Sequence, residues 1–101
     1  MRTKSLRKVL KKEFDNLSFG GYLRAARTGK DMNQKEMAEF LGISKSSLCD
    51  IEKGRQIVSI DLAASIARTS GLSEVMAVEF TIKDHLRRAK LKLDVHISKV
   101  S

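Results

Sequence analysis

The stretch Asn33-Gln34-Lys35-Glu36-Met37-Ala38-Glu39-Phe40-Leu41-Gly42-Ile43-Ser44-Lys45-Ser46-Ser47-Leu48-Cys49-Asp50-Ile51-Glu52-Lys53-Gly54 decides the fold. Asn33 and Glu36 have the spacing at which an Asn side chain accepts from the third helical N–H while the Glu reaches back to the cap. Met37, Ala38 and Leu41 form an apolar stripe at helical period. Gly42 suits the left-handed position that ends a helix. Ser44 then caps a second helix, with Leu48 and Ile51 inward and Gly54 as its stop. The spacing predicts helices over 34–41 and 45–52. Gly42-Ile43-Ser44 is too short a link for anything but a sharp turn.

Working outward, Ser18 caps a helix over about 19–28, with Leu23 and Ala26 inward. Gly20-Gly21 is an unusual pair for a first helical turn. Gly29-Lys30-Asp31 reads as a turn. On the other side, Ser59 caps a helix with Ile60, Ala63, Ile66 and Ala67 inward, which Gly71 ends. Ser73 caps a fifth, with Glu74 at its positive end and a stripe of Val75, Val78, Ile82, Leu86 and Ala89. Met76 and Phe80 fall outside that stripe. They read as extra core or as a subunit contact.

The flanks are less regular. Residues 4–17 form an amphipathic pattern: Leu6, Val9, Leu10, Phe14 and Leu17 on one face, Lys4, Arg7, Lys8, Lys11 and Lys12 on the other. That basic face is either solvated or a grip for phosphate. Near the C-terminus Leu91, Leu93, Val95 and Ile97 alternate with polar residues, the pattern of a half-buried strand. A lone strand must pair with a second copy, a partner protein or a further strand. The alternative is that the last helix continues through Leu86, Ala89 and Leu93.

Composition agrees with a mainly α domain. Among 101 residues there is no Pro or Trp, and only 5% are aromatic, which disfavours strands. Twenty Lys and Arg against twelve Asp and Glu give a net charge of +8. That field attracts polyanions, nucleic acid first and an anionic membrane surface second. No apolar run reaches membrane-spanning length, and the basic N-terminal stretch lacks a signal-peptide apolar core. The single Cys49 excludes an internal disulfide and a four-thiolate zinc site. These features predict a cytoplasmic location, on the nucleoid when DNA-bound. His85 and His96 have no partners at ligand spacing, so neither metal nor cofactor is expected. No Gly-rich phosphate loop or nucleophile–base pair is readable, so no enzyme is expected either.

Residues 19–72 resemble the phage-repressor type of helix-turn-helix domain, the Cro/XRE family. The resemblance rests on Leu23-Arg24-x-x-Arg27, Met32-Asn33-Gln34-x-Glu36-Met37-Ala38, Leu41-Gly42-Ile43-Ser44 and Ile51-Glu52-Lys53-Gly54-Arg55. It implies a five-helix bundle whose third helix enters the DNA major groove. To that bundle the flanks add an N-terminal basic helix over 1–17, and a dimerisation or partner segment over 74–101 that ends in a short C-terminal β-strand. The helix-turn-helix domain itself is expected over 18–73.

The resemblance also assigns roles. Lys45, Ser46 and Asp50 match base-reading positions. Lys donates to guanine, and Asp accepts from the cytosine amino group. Asp50 has a second reading, an ion pair with Lys53 or Arg55. Gln34, Ser44, Ser47, Lys53, Arg55 and Gln56 match phosphate contacts, which position the domain without reading sequence. Arg27 and Glu52 match a structural ion pair that fixes the recognition helix. Val58 stands where the family has Pro, and Ser70 where it has an apolar residue; both predict looser local packing.

These assignments predict a sequence-specific regulator of transcription, by default a repressor, binding double-stranded DNA as a homodimer on a palindromic operator. Met76, Phe80, Leu91, Leu93, Val95 and Ile97 are the expected dimer or partner interface. The alternative is an antitoxin that binds a small toxin protein and represses its own promoter. A membrane-surface role through residues 4–17 leaves 19–72 unexplained.

Overall fold

The computed structural model describes residues 17–100. The basic helix expected over 4–17 lies outside them except for Leu17, which is non-helical and packs on the core. Among the described residues there are five helices: α1 Phe19–Gly29, α2 Gln34–Leu41, α3 Lys45–Glu52, α4 Ile60–Ser70 and α5 Glu74–Arg88.

Local chemistry sets both ends of each helix. The side chains of Ser18, Asn33, Ser44, Ser59 and Ser73 accept from first-turn N–H groups, and Asn33 with Glu36 forms the full capping box. At the other ends the chain turns left-handed, at Asp31, Gly42, Gly54, Gly71 and Lys90. Each such turn recovers helix carbonyls through two backbone bonds, such as Ile43 N–H to Ala38 O at 3.0 Å and Leu91 N–H to Leu86 O at 3.0 Å.

Inside, Phe19 and Leu23 of α1, Met37 and Ala38 of α2, Leu48 and Ile51 of α3, Ala63, Ile66 and Ala67 of α4, and Ala77 and Phe80 of α5 form one core. α4 and α5 pack along each other, while α3 lies against α1 and α2. Tyr22 and Phe80 meet as tilted rings 5.2 Å apart. Two long-range bonds lash α5 to the rest. Phe19 N–H donates to Asp84 Oδ2 at 3.0 Å, and His85 Nε2 donates to the Val58 carbonyl at 2.9 Å.

Gly20 explains the glycine pair. A Cβ built there would sit 2.0 Å from the Ile51 carbonyl oxygen, so only glycine lets α1 approach the end of α3. Val58 is buried in the core, against the expectation of looser packing. Ser70 is buried too, but among the described residues its hydroxyl has no hydrogen-bond partner.

Four expectations are corrected. Ile60 is 47% exposed, so it lies off the inward face of α4. Phe80 is 1% exposed and belongs to the core, and Met76 packs against it, so neither is a free subunit surface. The buried face of α5 is Ala77, Phe80 and Thr81; Val75, Val78, Ile82 and Leu86 are only half-buried. Finally, the segment holding Leu91, Leu93, Val95 and Ile97 is not a strand, and none occurs among the described residues. Among the described residues it has no strand to pair with. Instead it folds back on α5, with Ile97 N–H donating to Glu79 Oε1 at 2.8 Å and Asp94 3.6 Å from Lys83 Nζ. Val95 and Ile97 are half-buried while their neighbours Asp94, His96 and Ser98 are exposed. The period-two pattern is real, and a helix answers it.

Candidate nucleic-acid interface

The candidate interface is built on α3, whose orientation depends on one buried carboxylate. Glu52 closes α3 with a side chain 2% exposed. It accepts from Arg27 Nε at 2.7 Å, Arg27 Nη2 at 3.0 Å and Gln34 Nε2 at 3.1 Å. The third nitrogen of the guanidinium donates to the Met32 carbonyl at 2.9 Å. One carboxylate therefore ties α1, the turn before α2, the start of α2 and the end of α3. Hydrogen bonds to the Glu52 carboxylate outweigh the opposing effect of burial and hold the Arg27 guanidinium above its ordinary pKa.

With its inner face spent on Leu48 and Ile51, α3 turns Lys45 and Ser46 to solvent and leaves Ser47, Cys49 and Asp50 partly exposed. Gly42, at φ 72, makes the elbow that sets α3 against α2. The Ser44 hydroxyl oxygen accepts from Ser47 N–H at 3.0 Å, which leaves its own hydrogen to donate outward. Lys53, Arg55 and Gln56 stand exposed on the loop after α3. Asp50 lies 3.6 Å from Arg55, so its carboxylate faces a cation of the same surface.

The structure thus brings Lys45, Ser46, Ser47, Asp50, Lys53, Arg55 and Gln56 onto α3 and its following loop. Gln34 sits at the start of α2, with one amide hydrogen given to Glu52. Leu91 and Leu93 are exposed on the C-terminal segment. Sequence reasoning missed Gln34 as a positioning residue, because its partner lies eighteen positions away. It also missed Asp84, whose partner is sixty-five positions away. Among the described residues no group of His, Cys, Asp and Glu is placed to hold a metal ion. No helix among them is long and apolar enough to cross a membrane.

A capped two-helix unit with a glycine elbow, an anchored second helix and a polar outer face defines a helix-turn-helix protein. Residues 18–80 match the family model of the helix-turn-helix domain. The chain belongs to that family, as a DNA-binding protein of the Cro/XRE type.

Similar proteins come from an archaeon, a bacterium and a phage. The chain is 31% identical over 78 residues to a Thermococcus kodakarensis protein whose name describes an HTH-type transcriptional regulatory protein, covering 77% of this chain and 23% of that one. It is 26% identical over 77 residues to the cryptic phage CTXphi transcriptional repressor RstR of Vibrio cholerae, covering 74% and 69%. It is 38% identical over 53 residues to the ImmF control region 10 kDa protein of Bacillus phage phi105, covering 52% and 59%. The chain spans about a quarter of the archaeal relative's length and roughly two thirds of the other two. No solved structure matches it.

Proposed function

We propose that this protein is a transcriptional repressor that reads a palindromic operator in double-stranded DNA as a homodimer. The anchoring of α3 by Glu52 carries the reading, because it presents a polar helix face at a fixed angle beside a basic loop. Lys45, Ser46 and Asp50 read bases; Gln34, Ser44, Ser47, Lys53, Arg55 and Gln56 hold phosphates. Asp50 accepts from a cytosine amino group while Arg55 offsets its charge. In the unbound protein that pairing keeps an exposed carboxylate from opposing the approach of DNA. Repression follows from covering a promoter, as the word repressor in the RstR name suggests.

One α3 touches few base pairs, so specificity needs two. In a dimer the paired helices sit one helical turn, about 34 Å, apart. The exposed Leu91 and Leu93 supply an apolar contact for the second copy. Selection from random duplexes, followed by anisotropy titration across a salt series, tests the reading. A palindromic consensus bound more tightly than a scrambled duplex supports it. Identical affinity for both removes it. Truncation after Arg88 yields monomers in sedimentation if the tail is the interface, and an unchanged oligomer if it is not.

The antitoxin reading is second. The exposed Leu91, Leu93 and Val100 also suit a partner protein. Co-purification of a stoichiometric small protein from the native host, released by removing residues 90–101, would favour it.

A further inference from the structure

A cleft of about 450 Å³ opens beside the loop that follows α3. Its lining includes Gly54 and Gln56 of that loop, Gly20 of α1, and Arg87 and Arg88 of the last turn of α5. The folding of α5 back to the start of α1, pinned by Asp84 and His85, brings a basic helix end to the edge of the proposed DNA surface.

The charges in the cleft are not equivalent. Asp84 accepts from Phe19 N–H and pairs with Arg87, so both charges of that pair are spent within the fold. Arg88 is exposed and, among the described residues, its guanidinium makes no hydrogen bond or ion pair. It lines the cleft together with Gln56, a residue already assigned to phosphate.

We propose that Arg88 is a further DNA-backbone contact: its guanidinium takes a phosphodiester of the strand that passes over the Lys53–Gln56 loop. The ligand class is the phosphate of duplex DNA, and the contact carries no base specificity. Arginine suits it, because its planar fork meets two phosphate oxygens at once. Cations at a helix C-terminus also favour the helix dipole. That purely structural role affects stability and leaves the salt dependence of binding alone. The inference rests on the DNA-binding reading above.

The test uses the full chain with Arg88→Gln, Arg88→Lys, Arg55→Gln and, as a surface control, Arg68→Gln. Arg68 lies in the last turn of α4, pairs with Glu74 and does not line the cleft. Affinity is measured against salt for the selected duplex and for a scrambled duplex of equal length. Arg88→Gln is expected to flatten the log–log salt slope by about one unit on both duplexes. Arg88→Lys should restore the slope, and Arg68→Gln should leave it unchanged. A wild-type slope in Arg88→Gln beside a flattened slope in Arg55→Gln overturns the Arg88 contact and leaves the DNA reading standing. Wild type that binds neither duplex at any salt overturns both.

Discussion

Gly20 and the Ile51 carbonyl meet so closely that a single added methyl would lie 2.0 Å from the oxygen. Backbone meets backbone there, so no side chain can rotate away. Gly20→Ala must push the start of α1 off the end of α3. The expected loss is about 3 kcal/mol or more, at the upper end for overpacked sites. Chemical denaturation measures it. Gly21→Ala is the comparison, since its added Cβ meets the flexible Leu17 side chain at 2.8 Å. It should cost much less.

The Arg27–Glu52 pair makes a sharper claim, because it links stability to binding. Glu52→Gln leaves the buried guanidinium without a counter-charge, and Arg27→Met leaves the carboxylate stranded. Each single change is expected to cost about 3–5 kcal/mol. The double change Arg27→Met with Glu52→Leu should recover much of that loss, since it buries no unpaired charge. Its DNA affinity should stay low, because α3 is then no longer tethered to the Met32 carbonyl and Gln34. Melting and anisotropy on the same three variants check both halves.

Ser70 gives a prediction of the opposite sign. Its hydroxyl is buried without a partner, a state that typically costs about 1–3 kcal/mol. Ser70→Ala removes the hydroxyl with almost no change in volume. It should raise stability by roughly 1 kcal/mol, read as a higher thermal midpoint with unchanged DNA binding. The carbonyl of Ser70 keeps its bond from Lys30 Nζ either way.

What could be read in advance follows from how local each signal is. The α2–α3 unit was legible because Asn33, Glu36, Gly42 and Ser44 act on backbone within a few residues. The reason for Gly20 was not, because its partner lies thirty-one positions away. In α5 two apolar faces compete. Val75, Val78, Ile82 and Leu86 make a convincing stripe, yet Ala77, Phe80 and Thr81 reach the core and the C-terminal segment returns to the other side. The end of α5 is equally opaque. Lys90 takes the left-handed position at φ 59 with neither Gly nor Pro to announce it. The alternation over 91–98 signals a half-covered chain without specifying whether a strand or a helix covers it. At the interface, residue types pointed to α3 and its loop, whereas Gln34's bond to Glu52 needed three-dimensional proximity.

Base reading by α3 through Lys45 is decided by a single comparison of duplexes. Lys45→Ala is titrated against the selected duplex and a scrambled duplex at the same salt. The account predicts a loss of about 1–3 kcal/mol on the selected site, with a much smaller loss on the scrambled one. Equal losses on both duplexes would show that Lys45 meets only phosphate, and would contradict the claim.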